Sequence, residues 1–458
     1  LGENIAIPDR HEPAIRQIDP HRLAWGVLLA AFAIFCTIAI SAIVGINYFL
    51  FQSTVPIKSV LSLGRGTVGI MELANSIEQI GRNGDSLLAG TVISTDPQSQ
   101  GTIQFFDPQA ADDLVASVTL HNGSVLTLRQ AARPRFEWSQ TRHLIELGNV
   151  SGRLSVTVPS LPGRDVLVNI ETGAGAIVNL EGGGRYMINA SADQLSVINR
   201  EGTATFIPPD LRQGHSIPPN RQGIIRYTDN TVEQKPGYVN LVRDSSFQTL
   251  NGGSLDQQSW VCGNDPSDNP AGSYDFVNMN GLMPLRFIRA DNAITHGRTS
   301  CVQSFGQGGV DIRAANYNYL AVRATLNIQS QSLNACGSDG SECPLMLRMD
   351  YIDNTGKGQR WFHGFYAREA DPQSNYRQRC ASCVQDHDLI NQGAWYTYES
   401  PNLLTLLEET PPVSIVSIWF YASGHQWDVR IGEVSLIGAQ MDNVVVQPLA
   451  EPTAEVGS

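Results

Sequence analysis

The sequence predicts a mainly β protein in which one N-terminal transmembrane helix is followed by two all-β domains. Three observations carry this expectation. No charged residue occurs between Leu23 and Ile57, short runs of alternating apolar and polar residues recur from Ser59 onward, and six of the seven cysteines lie beyond residue 260. At 458 residues the chain exceeds one ordinary core, since domains run to about 100–200 residues. The formal charge is -13, and Lys58, Lys235 and Lys357 are the only lysines. An acidic chain without basic clusters excludes nucleic acid as a partner and gives no patch for anionic lipid heads.

Leu23 to Phe51 reads LAWGVLLAAFAIFCTIAISAIVGINYFLF. A hydrocarbon core of about 30 Å needs roughly 20 apolar helical residues, which this run exceeds. A signal peptide has a shorter apolar region of about 7–15 residues and a small-x-small cleavage site, which Asn47 to Gln52 does not offer. Residues 23–51 are therefore expected to be a retained membrane anchor. Arg10, Arg16 and Arg22 precede the run, so the positive-inside rule puts the N-terminus in the cytoplasm and the bulk of the chain outside. Trp25 and Tyr48 stand near its two ends, where amphipathic rings favour the interface. The cytoplasmic tail, 1–22, carries Pro8, Pro13 and Pro20 and is too short to bury a core.

Residues 59–231 alternate at period two between turn signals, as in Ser62 to Glu72, Thr102 to Phe106, Ser124 to Leu128, Leu154 to Val158 and Thr203 to Ile207. Asn122-Gly123 and Glu201-Gly202 are expected to turn the chain, because Asn and Gly tolerate positive φ. The stretch Gly84-Asp85-Ser86-Leu87-Leu88-Ala89-Gly90-Thr91-Val92-Ile93 resembles the outer domain of the FecR-like family, named for regulators of iron-citrate uptake. Leu144 to Leu147 before Ser151-Gly152-Arg153-Leu154, and Val168 to Ile188 with Gly173, Gly175 and Gly182 to Gly184, continue that resemblance over about 60–230. It implies an all-β outer domain. Sensor members of the family also carry a cytoplasmic region that controls a sigma factor, whereas only the 1–22 tail is expected inside here.

Pro208-Pro209, Pro218-Pro219 and Pro236-Gly237 punctuate the chain, which places a linker at 232–238. Residues 239–438 open with Val239-Asn240-Leu241-Val242-Arg243-Asp244 and close with Val429-Arg430-Ile431-Gly432-Glu433-Val434. These two ends resemble the galactose-binding-like jelly rolls of carbohydrate-binding modules, which implies a β-sandwich. Tyr319 to Ile328, Leu345 to Ile352 and Val413 to Tyr421 alternate as its strands should. Cys262, Cys301, Cys336, Cys343, Cys380 and Cys383 form an even set in the part expected outside, which implies disulfides. Six cysteines permit fifteen pairings; proximity in the chain suggests Cys262 with Cys301, Cys336 with Cys343 and Cys380 with Cys383. A zinc site from Cys380, Cys383 and His387 lacks the second ligand pair that such sites use. No metal is therefore expected, although Asp244 and Glu433 stand where related jelly rolls hold a structural calcium.

Aromatic residues cluster at Trp361 to Tyr366 and Trp395 to Tyr398. Sugars stack on exposed rings while polar neighbours bond their hydroxyls, so Trp361, Tyr366, Trp395 and Trp427 are the glycan-binding candidates. The competing reading packs these rings into the sandwich core. No HExxH, P-loop, GxSxG or dinucleotide motif occurs, so no catalytic residue, enzyme activity or cofactor is expected. The tail 439–458, rich in Pro, Glu and Val, reads as a flexible acidic end. Together these readings describe a non-enzymatic single-pass protein, an accessory or scaffold component of a cell envelope or surface assembly. It would bind other envelope proteins or itself. Glycan binding through the jelly roll is the alternative, and a FecR-like transmembrane regulator the second alternative.

Overall fold

The computed structural model describes residues 20–440 apart from 73–76, 109–112, 161–163, 210–212, 230, 252–258, 280–281, 290–291 and 371–375. The expected cytoplasmic tail lies outside the described residues up to residue 19, and the expected C-terminal tail lies outside them from residue 441. Two compact units are present: the N-terminal helix with Pro134–Thr141, and a β unit holding the rest.

The helix runs over Pro20–Phe51. Proline suits its first position because that N–H needs no helical partner. At about 1.5 Å per residue its 32 residues extend roughly 48 Å, long and apolar enough to cross a membrane.

In the β unit, one sheet carries the chain as far as Pro236. Three long strands, His143–Val158, Ile177–Ala190 and Gln194–Ile207, form its spine. The middle one changes partners along its length. Ile177 to Glu181 pair with Val166–Thr172, whereas Gly184 to Ala190 pair with Gly152 to Val158. The switch is made at Gly182-Gly183-Gly184, where Gly182 takes φ +69° and a Cβ on Gly184 would meet the Tyr186 hydroxyl at 2.2 Å. Only glycine fits there. The turn expected at Glu201-Gly202 is a bulge instead: Gln194–Ile207 continues through it, and the register against Ile177–Ala190 shifts nearby. The run expected from Ser62 to Glu72 is likewise two strands, Lys58–Arg65 and Val68–Met71, broken at Gly66 with φ +63°. The expected linker is largely strand. Thr231–Pro236 pairs with Arg221–Arg226, leaving Gly237 and Tyr238 before the next strand at Val239.

The second half folds into two further sheets. One orders Ser273–Phe276, Leu285–Arg289, Trp427–Ala439, Tyr319–Gln331 and Tyr396–Glu399; the other orders Val261–Asn264, Gly297–Ser304, Pro412–Gly424, Leu345–Asp353 and Gly358–Tyr366. Inward residues of both, including Leu326 and Val429 from the first and Leu347 and Phe420 from the second, share one apolar core. The result is a β-sandwich. Phe247, Trp260 and Phe287 pack around the Phe420 ring within that core, with centroids 5.0–5.5 Å from it.

Candidate functional site

Three of the four aromatic candidates are buried. Trp361 lies on Gly358–Tyr366 with its ring turned inward, 1% exposed, and Tyr366 at the end of that strand is 3% exposed. Trp427 opens Trp427–Ala439 opposite Arg289, whose guanidinium stands 5.4 Å from the indole centroid, and is 1% exposed. None of the three offers a face to a sugar, which corrects the expectation for Trp361, Tyr366 and Trp427. Trp395 differs, because it precedes Tyr396–Glu399 and is half-buried.

Trp395 lines a cleft of about 210 Å³ whose walls come from both halves of the β unit. Phe106, Gln104, Ser62 and Asn83 belong to the first sheet and its loops, while Asn327, Met279 and Leu282 belong to the sandwich. Asn327 is committed, donating to Gly393 O at 2.9 Å and accepting from Gln329. Asn83 uses its carbonyl oxygen to accept from Leu63 N. Among the described residues, no charged side chain lines the cleft. Its volume is below the roughly 300–1,000 Å³ that drug-sized ligands fill, so it suits one small neutral ring.

Around this cleft the halves meet through polar contacts. Gln100 pairs with the backbone of Thr397 in both directions at 2.8 Å, and Asn391 donates from its backbone to Gly64 O and from its side chain to Leu63 O, each at 3.0 Å. Arg65 pairs with Asp388 at 3.0 Å, and Asp388 also accepts from the Tyr396 hydroxyl. Deeper in the seam lies a cluster of charge. Arg153 meets Glu399 at 2.5 Å, and the Tyr319 hydroxyl donates to the same carboxylate at 2.8 Å. Arg200 donates to Glu433 at 2.8 Å and to Ser435 at 3.2 Å, with Arg185 3.6 Å from the other Glu433 oxygen. Burial alone would raise the Glu399 carboxyl, but Arg153 and Arg323 bring it down to about 2. Burial opposes Glu433 in the same way, and Arg200, Arg185 and Arg323 hold it well below the usual carboxylate range. Arg323, 6% exposed, is pushed down to about 10 by burial and by Arg200, still a cation at neutral pH. Its Nε is buried and has no hydrogen-bond partner among the described residues. Glu399 and Glu433 are thus held as anions, each paired with arginine across the seam.

Three disulfides join Cys262 to Cys301, Cys336 to Cys343 and Cys380 to Cys383. Cys262 and Cys301 are directly opposed on paired strands. The other two each bring both sulfurs within 4.8 Å of a ring nitrogen of His387, whose Nδ1 accepts from Gly364 N at 2.9 Å and whose Nε2 donates to Gly340 O at 2.8 Å. Burial holds that imidazole down at about 4, so it is a neutral pin between the strand Gly358–Tyr366 and the turn at Gly340. Sulfurs tied in disulfides are not thiolate ligands, so Cys380, Cys383 and His387 present no zinc site in this state. Asp244 accepts from Gln248 N, Thr249 N and the Thr249 hydroxyl, which makes it a turn cap. Glu433 is committed to arginines, and neither carboxylate joins a potential metal-ligand group among the described residues.

The seam was missed in the sequence. Its one visible signal was Arg323 inside the apolar run Tyr319-Leu320-Ala321-Val322-Arg323-Ala324, a charge on an otherwise core-forming strand.

No family model matches the chain, and no curated protein matches it. Among solved structures it is similar to a candidate anti-sigma factor from Parabacteroides distasonis (19% identity, TM-score 0.24), over 35% of this chain and 65% of that one. The chain thus spans just under two thirds of that protein. It is also similar to the family 11 carbohydrate-binding module of the cellulosomal cellulase Lic26A-Cel5E of Clostridium thermocellum, at 15% identity and TM-score 0.26, over 45% of this chain and 98% of that one. TmCBM61, solved in complex with β-1,4-galactotriose, aligns at 12% identity and TM-score 0.24 over 44% and 99% of the two chains.

Proposed function

We propose that this chain is a non-enzymatic, single-pass accessory or scaffold component of a cell-envelope or surface assembly, anchored through residues 23–51 with its β unit outside the cytoplasm. The observation that carries the reading is the seam. Arg153, Arg200 and Arg323 with Glu399 and Glu433 join two β folds into one block, and every carboxylate there is spent on holding it together. A protein built to hold partners at a fixed geometry gains from such a joint, whereas acid–base chemistry needs a group poised near the working pH. Extraction from membranes in mild detergent, followed by size exclusion and mass spectrometry, tests the reading. A stable assembly of defined composition supports it; a lone monomer from native membranes refutes it.

One observation favours a second reading. Trp395 is the one aromatic candidate that is not fully buried, and it lines the cleft together with uncharged polar groups. That combination suits a neutral glycan. Binding of the full chain to neutral oligosaccharides, lost in Trp395→Ala, supports this reading; no binding to any of them removes it. The regulator alternative rests on the 1–22 tail, and a pull-down with that peptide that captures no specific cytoplasmic protein rules it out.

A further inference from the structure

The smaller unit carries exposed aromatic residues outside its helix as well as on it. Trp138 is 60% exposed, on the loop Pro134–Thr141 that links strands Val125–Pro134 and His143–Val158. Its indole stacks on Phe136 with centroids 4.7 Å apart and planes 9° apart, and Phe136 meets Phe49 of the apolar helix edge-on at 5.5 Å. The Arg135 guanidinium stands 5.4 Å from the same Phe49 ring. The loop also closes the end of the helix. The hydroxyls of Ser139 and Thr141 both donate to Phe51 O, and Arg135 N donates to Ser53 O at 2.9 Å.

We propose that the loop Pro134–Thr141 is a second membrane contact, with Phe136 and Trp138 seated at the level of the phospholipid headgroups beside the point where the helix leaves the bilayer. The inference rests on the anchor reading of residues 23–51. Trp25 and Tyr48, the aromatic residues near the two ends of the span, are 23 residues apart, or about 35 Å along a helix, which matches a core of about 30 Å with its interfacial margins. Phe49 follows Tyr48 directly, so whatever packs on Phe49 sits at that same depth. Trp and Phe with an adjacent Arg have the chemistry of this zone: rings that bury in the acyl boundary and a cation that meets phosphate. The capping contacts agree. The last carbonyls of a helix lack helical partners, and where water is scarce another donor must supply them. Ser139 and Thr141 do so for Phe51.

The test uses the full chain reconstituted into phosphatidylcholine vesicles whose acyl chains carry bromine either near the headgroup or near the tail end. The Trp138 emission is taken as the difference between the wild type and Trp138→Phe, and the Trp25 emission from Trp25→Phe. A Trp138 component that is blue-shifted, loses most of its intensity to shallow bromine, and is little affected by aqueous iodide is the expected result. Quenching of Trp25 but not of Trp138, with Trp138 open to iodide, overturns the loop contact and leaves the anchor standing. Quenching of neither overturns both. Gln140→Cys carrying a polarity-sensitive dye, in a Cys36→Ser background, gives the same reading without altering the ring stack; a dye that reports water overturns the contact.

Discussion

Replacing Glu399 by glutamine removes one charge from the seam and keeps its shape. The Glu399 side chain is 8% exposed, and its carboxyl, ordinarily near 4.5, lies at about 2 in the folded protein. That displacement is worth about 3 kcal/mol at roughly 1.4 kcal/mol per tenfold. Arg153 keeps 35% of its side chain in water, which screens part of the attraction, so the expected loss of stability is about 2 kcal/mol. The pH dependence has a definite sign. A carboxyl lowered on folding stabilises fully above its unfolded value, and that contribution disappears as pH falls from about 4.5 toward about 2. Urea unfolding of the full chain in detergent, followed by tryptophan emission at pH 7 and at steps down through the acid range, measures both effects. Glu399→Gln should lower the midpoint at pH 7 and flatten its fall between pH 4.5 and pH 2. An unchanged midpoint with an unchanged acid limb would refute the claim that this pair holds the seam.

Three further outcomes follow from the same geometry. Loop-closure entropy ranks the disulfides by sequence separation: changing Cys262 and Cys301, 39 apart, to alanine should cost about 4 kcal/mol, and changing Cys380 and Cys383, 3 apart, about 2 kcal/mol, as read by denaturant midpoints. Trp427→Ala should cost about 3–5 kcal/mol by emptying a fully buried site, whereas Trp395→Ala, at a half-buried site, should lower the thermal midpoint less. His387 is neutral when folded and titrates near 6.5 when unfolded, so its stabilisation is lost as pH falls from about 6.5 toward about 4; His387→Gln should remove that part of the acid limb in a melting series.

The sheets were legible because they rest on alternation and turn chemistry that a single strand displays by itself. Tyr319 to Ile328 and Leu345 to Ile352 read as strands and are strands, extending to Tyr319–Gln331 and Leu345–Asp353. The uncharged run from Leu23 to Phe51 was legible for the same local reason. Errors arose where a local signal has two physical uses. Glycine with positive φ makes a hairpin turn or a bulge, and at Gly202 the long partner strand Ile177–Ala190 keeps pairing on both sides, so the bulge prevails. Pro236 punctuates a chain but is also tolerated on an edge strand, which is the place of Thr231–Pro236. The candidate site was far less legible. An aromatic residue on a strand carries no mark of which face it takes, and the partners of Arg153 and Arg200 are more than 200 residues away in sequence.

The cleft and the seam are physically linked, and the link separates the two functional readings. Gln104 and Phe106 form one wall and Trp395 part of the other, so the cleft exists only while the halves keep their docking geometry. Glu399 lies one residue beyond Tyr398 on the strand that follows Trp395, and Thr397 on that strand is held by Gln100 from the opposite half. Loosening the seam at Glu399 therefore shifts the wall that carries Trp395 without touching its ring. If a neutral glycan binds between both walls, Glu399→Gln weakens binding at pH 7 while Trp395 stays intact, and restoring the joint by replacing Arg153 and Glu399 together with apolar residues recovers it, because a well-packed apolar pair can substitute for a buried ion pair. If the sandwich binds alone, both variants bind as the wild type does. Titration of one bound oligosaccharide against the three proteins distinguishes a composite site from a one-sided site, and a result independent of Glu399 would show that the seam takes no part in glycan binding.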